Sequence, residues 1–283
     1  MPALRSLVLS GTLRLSLGPH PDRARPDAET LLLHFLEKNK AWLIAHLEEE
    51  LSEGEARFYT ALLERRYQGE PIQYITGAAE FYGLPFRVRP GVLIPRPETE
   101  HLVEKVIELA ARFQPLRIAD IGTGSGCIAV TLAHHLPHAT ITASDLSAAA
   151  IAIARENAAL NQVSHRICFL EGDLLTPATG QQFEIIASNP PYVPTANRSS
   201  LSIEIRDHEP PFALFAGIDG LDIYRRLIPE AFACLSPGGF IALEIGYAQS
   251  SAIADLLEGF GFYSIEFVSD LQSIPRVAVA QLP

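Results

Sequence analysis

The chain has 283 residues, 48% of them hydrophobic, enough to build a sizeable core. Its 22 Lys+Arg against 33 Asp+Glu leave a formal net charge of -11, which opposes attachment to a phosphate backbone through clustered cations. The three cysteines, Cys127, Cys168 and Cys234, have no metal-ligand spacing and read as small buried hydrophobes in a reducing, cytoplasmic setting.

The N-terminal stretch "MPALRSLVLSGTLRLSLG" is interrupted by Arg5 and Arg14. Its Arg and Ser without acids resemble a weak transit peptide, but the broken apolar stretch makes a poor signal h-region or membrane span, and an ordinary helix and turn are expected there. Three helical patterns follow, "DAETLLLHFLE", "AWLIAHLEE" and "SEGEARFYTALLERRYQG", the last with Ser52 and Glu55 at capping-box spacing. They predict a small helical bundle over residues 1–70. Residues 71–96 mix turn residues with short alternating runs and predict a hairpin linker. Pro97, Glu98 and Glu100 then mark a helix start, opening a second domain over 97–283.

In that second domain short apolar strands alternate with helices. The strand candidates are "LRIADIG", "ATITASD", "RICFLEGD", "FEIIASN", "FIALEIG", "YSIEFVSD" and "RVAVAQL". This rhythm predicts an α/β fold, a doubly wound, mostly parallel sheet of seven strands. The last two strands are joined by "LQSIP", too short for a crossover helix, so they should pair antiparallel at one edge.

"ADIGTGSGCIAV" puts Gly122, Thr123, Gly124, Ser125 and Gly126 between a strand and a helix, where glycines permit a tight turn and a close ligand. Asp145 ends the next strand, about 20 residues further on, where a carboxylate can accept from both ribose hydroxyls. The glycine spacing is not that of the dinucleotide fingerprint, and Asp120 beside the loop would repel a diphosphate. An acid there suits a cationic ligand, so the expected cofactor is S-adenosylmethionine. Asp173, at the end of the third strand, could accept from the adenine amine.

The fourth strand ends in "SNPPY". Two prolines hold Asn189 and Pro190 extended, so that one carboxamide oxygen and one main-chain carbonyl can point the same way beside Tyr192. This segment resembles motif IV of amino-directed methyltransferases, which methylate planar nitrogens conjugated to a π system. By itself it leaves adenine and glutamine open as acceptors. "GEPIQYITGAAEFYG", "LIPRPETE" and "HEPPFALFAGIDGL" resemble the corresponding stretches of bacterial release-factor glutamine methyltransferases, and nearly the whole chain shares that architecture.

The resemblance implies a Rossmann-like class I S-adenosylmethionine-dependent methyltransferase acting on the glutamine of the Gly-Gly-Gln tip of class I release factors. It places the cofactor on Gly122 to Gly126, Asp145, Asp173, Leu174 and Asn189. It makes Asn189, Pro190, Pro191 and Tyr192 the substrate clamp, with Asn189, Pro190 and Tyr192 as the catalytic set. Arg96 and Glu209 match family positions near the site without an assigned role, and a structural ion pair suits them equally. The helical bundle would dock the factor, and a monomer without metal, nucleic acid or membrane partner is expected. The rival reading is an N6-adenine methyltransferase acting on RNA or DNA. Against it stand the negative charge and the lack of a basic segment interleaved with aromatics. A non-catalytic adaptor would have a damaged loop or clamp, and a nicotinamide-dependent dehydrogenase conflicts with the glycine spacing.

Overall fold

The computed structural model describes all residues, 1–283. They divide into two compact units, Met1–Ala78 with Leu201–His208, and Ala79–Ser200 with Glu209–Pro283.

The first unit is helical: α1 (Leu4–Ser16), α2 (Ala24–Leu36), α3 (Lys40–Ala45), α4 (Glu53–Tyr67) and α5 (Ile72–Thr76). The apolar faces of α1, α2 and α4 bury Leu4, Leu31, Leu32 and Tyr59 against one another. Ser52 caps α4 with the reciprocal Glu55 bond that the sequence spacing predicts. Arg66 is almost fully buried and holds Asp27 at 2.7 Å. It also pairs with Glu204, so a short segment from far along the chain completes this unit.

The second unit opens with a hairpin, β1 (Ala78–Phe81) and β2 (Leu84–Arg87), turning through Tyr82 and Gly83. It continues through α6 (Thr99–Ala110), β3 (Leu116–Ile121), α7 (Cys127–His135), β4 (Ala139–Asp145), α8 (Ala148–Leu160), β5 (Ile167–Glu171) and β6 (Phe183–Ser188). It ends with α9 (Asp222–Cys234), β7 (Leu235–Glu244), α10 (Ser250–Gly259), β8 (Tyr263–Ser269) and β9 (Pro275–Gln281). The seven-stranded sheet has the order β5-β4-β3-β6-β7-β9-β8. Its inner strands are apolar on both faces because two clusters cover it, one including α6, α7 and α8 and the other α9 and α10.

β8 and β9 pair antiparallel at the edge, as their short connection requires. The strand running against the others is β9, however, which inserts between β7 and the outermost β8. The cysteine expectation is corrected: Cys168 is exposed and Cys127 and Cys234 are half-buried. Cys168 lies on edge strand β5, where the two-residue alternation turns every second side chain outward.

Connections leave β3 toward β4 on one side, while β6 lies on its other side. This is the topological switch of a doubly wound sheet, where a crevice opens beyond the strand ends.

Candidate active site

The crevice at the carboxyl ends of β3, β4 and β6 is lined by Gly122 to Ser125 of the glycine loop, Asp145, Asp173, Leu174, Asn189 and Pro191. The main-chain amides of Gly122 and Thr123 both donate to Ser144 O at 2.9 Å, which folds the loop back over β4. Gly122 has φ 73, and a Cβ built on it meets nothing within 4 Å, so the loop backbone itself faces open space. At Gly126 the reason for glycine differs. There a Cβ would come within 3.1 Å of Ala154 Cα, so helices α7 and α8 approach closely only because it is absent. Buried Asn157 of α8 supports the loop, donating to Ser125 O at 2.8 Å and clasping Arg87 of the hairpin through its N–H and carbonyl.

Asp120 lies beneath the loop, fully buried. Its Oδ2 accepts from Thr123 Oγ1 at 2.6 Å and from the Ala129 amide at 3.1 Å, while Oδ1 is buried with no partner. Burial pushes its carboxyl up to about 7, and Asp145 nearby acts in the same direction. Asp145 accepts the Gly124 amide at 2.8 Å on one oxygen and the Ser147 amide at 2.9 Å on the other. Burial raises its pKa against those two bonds. Asp173 pairs with Arg226 on the exposed side of the crevice. Leu174 adopts φ 47, a left-handed conformation costly for a leucine, and its carbonyl is held by Ser144 Oγ at 2.8 Å.

The segment after β6 is fixed from several directions. Ser188 Oγ donates to Ile121 O at 2.6 Å, tying the end of β6 to the end of β3. Asn189 is half-buried and its Nδ2 donates to Thr99 Oγ1 at 3.0 Å. Pro190 is buried and Pro191 lines the crevice. Tyr192 stands behind them. Its hydroxyl donates to Glu244 Oε1 at 3.2 Å, and its carbonyl accepts from Gln249 Nε2 at 3.1 Å. Beyond it, Val193 and Thr195 pair with Leu214, Ala216 and Gly217, so "HEPPFALFAGIDGL" is the brace of this segment. Arg96 Nη2 and Glu209 Oε1 form an ion pair at 2.5 Å that joins "LIPRPETE" to the same brace.

The crevice thus brings together Gly122 to Ser125 of the glycine loop, Asp145, Asp173, Leu174, Asn189 and Pro191, whereas Gly126, Pro190 and Tyr192 are outside its lining. Sequence reasoning missed Thr99, Glu244 and Asn157. For Glu244 a signal existed, since it is a lone acid in the apolar strand run "FIALEIG". No group of three or more His, Cys, Asp or Glu side chains could hold a metal ion, and no helix is long and apolar enough to cross a membrane.

Two family descriptions match the chain, the PrmC N-terminal domain over residues 13–77 and the methyltransferase small domain over residues 99–205. A protein named release factor glutamine methyltransferase from Koribacter versatilis is 44% identical over 260 residues, 92% of this chain and 91% of its own. One of the same name from Moorella thermoacetica is 44% identical over 265 residues, 94% and 93% of the two chains. Among solved structures, a T. thermophilus 16S rRNA N2 G1207 methyltransferase in complex with AdoMet and guanosine superposes with a TM-score of 0.54. It is 20% identical and spans 73% of this chain and 50% of that one, a likeness of fold.

Proposed function

The chain belongs to the release factor glutamine methyltransferases, and from that premise we propose how its residues perform the transfer. It methylates the side-chain amide nitrogen of a release-factor glutamine. We assign that glutamine to the Gly-Gly-Gln tip of class I factors and the methyl donor to S-adenosylmethionine.

The donor supplies an electrophilic methyl group on a sulfonium. Several features in and beneath the crevice suit such a donor. Asp120 Oδ1 is buried without a partner, the loop over Gly122 is open, and Asp145 keeps lone pairs for ribose hydroxyls after accepting two amides. Asp173 and Leu174 would border the adenine, Leu174 giving an aliphatic wall.

The observation that carries the reading is the Asn189 carboxamide, which lines the same crevice as the glycine loop and has its nitrogen bound to Thr99. Its Oδ1 is thereby left to accept. An amide nitrogen is a poor nucleophile because its lone pair is delocalised into the carbonyl. Acceptors on its N–H bonds, Asn189 Oδ1 and the Pro190 carbonyl, favour the build-up of positive charge on nitrogen as the new bond to carbon forms. The methylated nitrogen then releases its proton to water. Pro191 and Tyr192 complete the clamp by fixing the main chain on which both acceptors stand.

The helical unit is our choice for docking the factor. Leu9, Leu13 and Leu17 follow one another at four-residue intervals on and just beyond α1 and are 64%, 68% and 70% exposed. Charged replacements of Leu9 and Leu13 should raise the KM for the whole factor and leave a free Gly-Gly-Gln peptide unaffected; equal effects on both would remove that assignment.

The function itself is tested by incubating the protein with isotopically labelled S-adenosylmethionine and a class I release factor, beside an RNA and DNA pool. Label on the factor supports the reading. Label on adenine alone would overturn it.

A further inference from the structure

Glu244 ends β7 and is 1% exposed, yet both of its carboxylate oxygens are engaged. Oε2 accepts from Thr99 Oγ1 at 2.6 Å and Oε1 from the Tyr192 hydroxyl at 3.2 Å. Thr99, 1% exposed at the start of α6, in turn accepts from Asn189 Nδ2. The strand needs no acid at this position, since an apolar side chain of similar size would fill the space without the cost of burying a charge.

We propose that Glu244 and Thr99 are positioning residues of the methyl transfer, together fixing which end of the Asn189 carboxamide faces the substrate nitrogen. The proposal rests on the reading of Asn189 as an acceptor.

The argument is one of hydrogen-bond polarity. A carboxamide has nearly the same shape in its two flip states and opposite polarity, presenting an acceptor in one and two donors in the other. Flipped, Asn189 would aim N–H groups at the N–H groups of the substrate amide. A threonine hydroxyl does not choose between the states, because it can donate to Oδ1 or accept from Nδ2. A carboxylate has no proton to give. It takes the single hydroxyl proton of Thr99, so Thr99 can only accept, and Asn189 must present its nitrogen inward and its oxygen outward. The same carboxylate takes the Tyr192 hydroxyl proton, so one group registers the first and last residues of the Asn-Pro-Pro-Tyr turn.

The surroundings keep this arrangement directional. Tyr192 holds its proton because burial and the Glu244 charge both raise its pKa. The Tyr224 hydroxyl donates to the Glu244 main-chain carbonyl at 2.6 Å, which fixes the backbone under the carboxylate. Burial opposes ionisation of Glu244 most and Glu98 adds to it through space, while the Thr99 and Tyr192 hydroxyls and Arg276 favour the charge, which the Cys127 thiol also feels.

The test uses Thr99→Val, Thr99→Ser and Glu244→Gln in the full chain, with Asn189→Ala as the reference. The measurements are kcat, KM for the release factor, S-adenosylmethionine affinity and Tm. Thr99→Val keeps shape and loses the hydroxyl. Its kcat should fall roughly ten- to a hundredfold, in the range of losing one oriented polar group at a reacting centre. Cofactor affinity should stay near wild type, while Tm falls by a few degrees because Glu244 Oε2 and Asn189 Nδ2 lose a partner. Thr99→Ser should recover kcat to within a few-fold, which a packing role for the threonine methyl would not allow. Glu244→Gln can donate as well as accept, so it should lose kcat in the same direction even though its shape is kept. Wild-type kcat in Thr99→Val or in Glu244→Gln, with Asn189→Ala inactive, would overturn the proposal and leave the clamp standing. Full activity in Asn189→Ala would instead remove the clamp reading itself.

Discussion

Asn189 Nδ2 donates to Thr99 Oγ1 at 3.0 Å across 90 residues of sequence, joining the turn after β6 to the first residue of α6. That bond turns a proline-rich strand end into a polar site of defined direction. It also separates residues that face the reaction from residues that hold the cofactor, and the two sets should respond differently to substitution.

Asn189→Ala should abolish most transfer, on the order of a hundred- to a thousandfold in kcat, with cofactor affinity within a few-fold of wild type. Isothermal titration with the cofactor and a labelled-methyl assay on the same preparation measure the two quantities. Parallel loss of both would mean that Asn189 acts through the cofactor.

Asp145→Ala should act the other way. The side chain accepts the Gly124 and Ser147 amides. Its loss therefore loosens the loop as well as removing a ribose acceptor, and charged hydrogen bonds contribute roughly 1.5–3 kcal/mol each. Cofactor affinity should fall at least tenfold, as read by titration calorimetry.

Glu244 gives opposite signs for stability and activity. Burial pushes its carboxyl up to about 7 from the ordinary 4.5. Between those values the folded protein binds a proton that the unfolded chain has released. This group's contribution to stability is therefore present at low pH and is lost as pH rises toward 7. Asp120, also pushed up to about 7, adds a term of the same sign, so the comparison must be with Glu244→Gln. From about pH 5 to 8 wild type should lose more Tm than the variant, while wild-type kcat rises through about 7 as Glu244 ionises. A kcat that ignores pH across that window would contradict the role of the charge.

Gly126→Ala should be costly through packing. Its φ is 81 and the new Cβ would meet Ala154 Cβ at 3.0 Å. The left-handed conformation and the displaced helix together should cost about 1–3 kcal/mol, visible as a lowered midpoint in denaturant.

Arg66→Leu should weaken the helical unit by about 3–5 kcal/mol, because Asp27, 2% exposed, would be left buried without its partner at 2.7 Å. Amide exchange confined to α2 and α4 would rise first.

Much of this architecture is legible in the sequence because it follows from period and spacing. Five of the seven strands of the main sheet lie wholly within the apolar runs visible in the chain, while β9 starts one residue before its run and β7 starts at Leu235, five residues ahead of its run; the Ser52–Glu55 cap follows from a three-residue interval. The glycine loop and Asn189 are visible because their chemistry is local. What escaped is long-range. Thr99 sits in a stretch recognised as a motif, and Glu244 in a strand recognised by its apolar neighbours, but 145 residues separate them. Only the sheet, which puts β7 beside β6, brings the acid under the clamp. Tyr192 illustrates the same limit. Its place beside two acceptors is legible, but not the bond of its hydroxyl to Glu244, 52 residues further on. The burial of Cys168 was misjudged because composition does not reveal which strand takes the edge.

The most direct measurement is fragmentation mass spectrometry of the Gly-Gly-Gln peptide, cut from a class I release factor after reaction with methyl-labelled cosubstrate and either wild type or Asn189→Ala. The account predicts one labelled methyl on the glutamine side-chain nitrogen with wild type and almost none with the variant. Label on another residue of the factor, or equal label from both proteins, would contradict it.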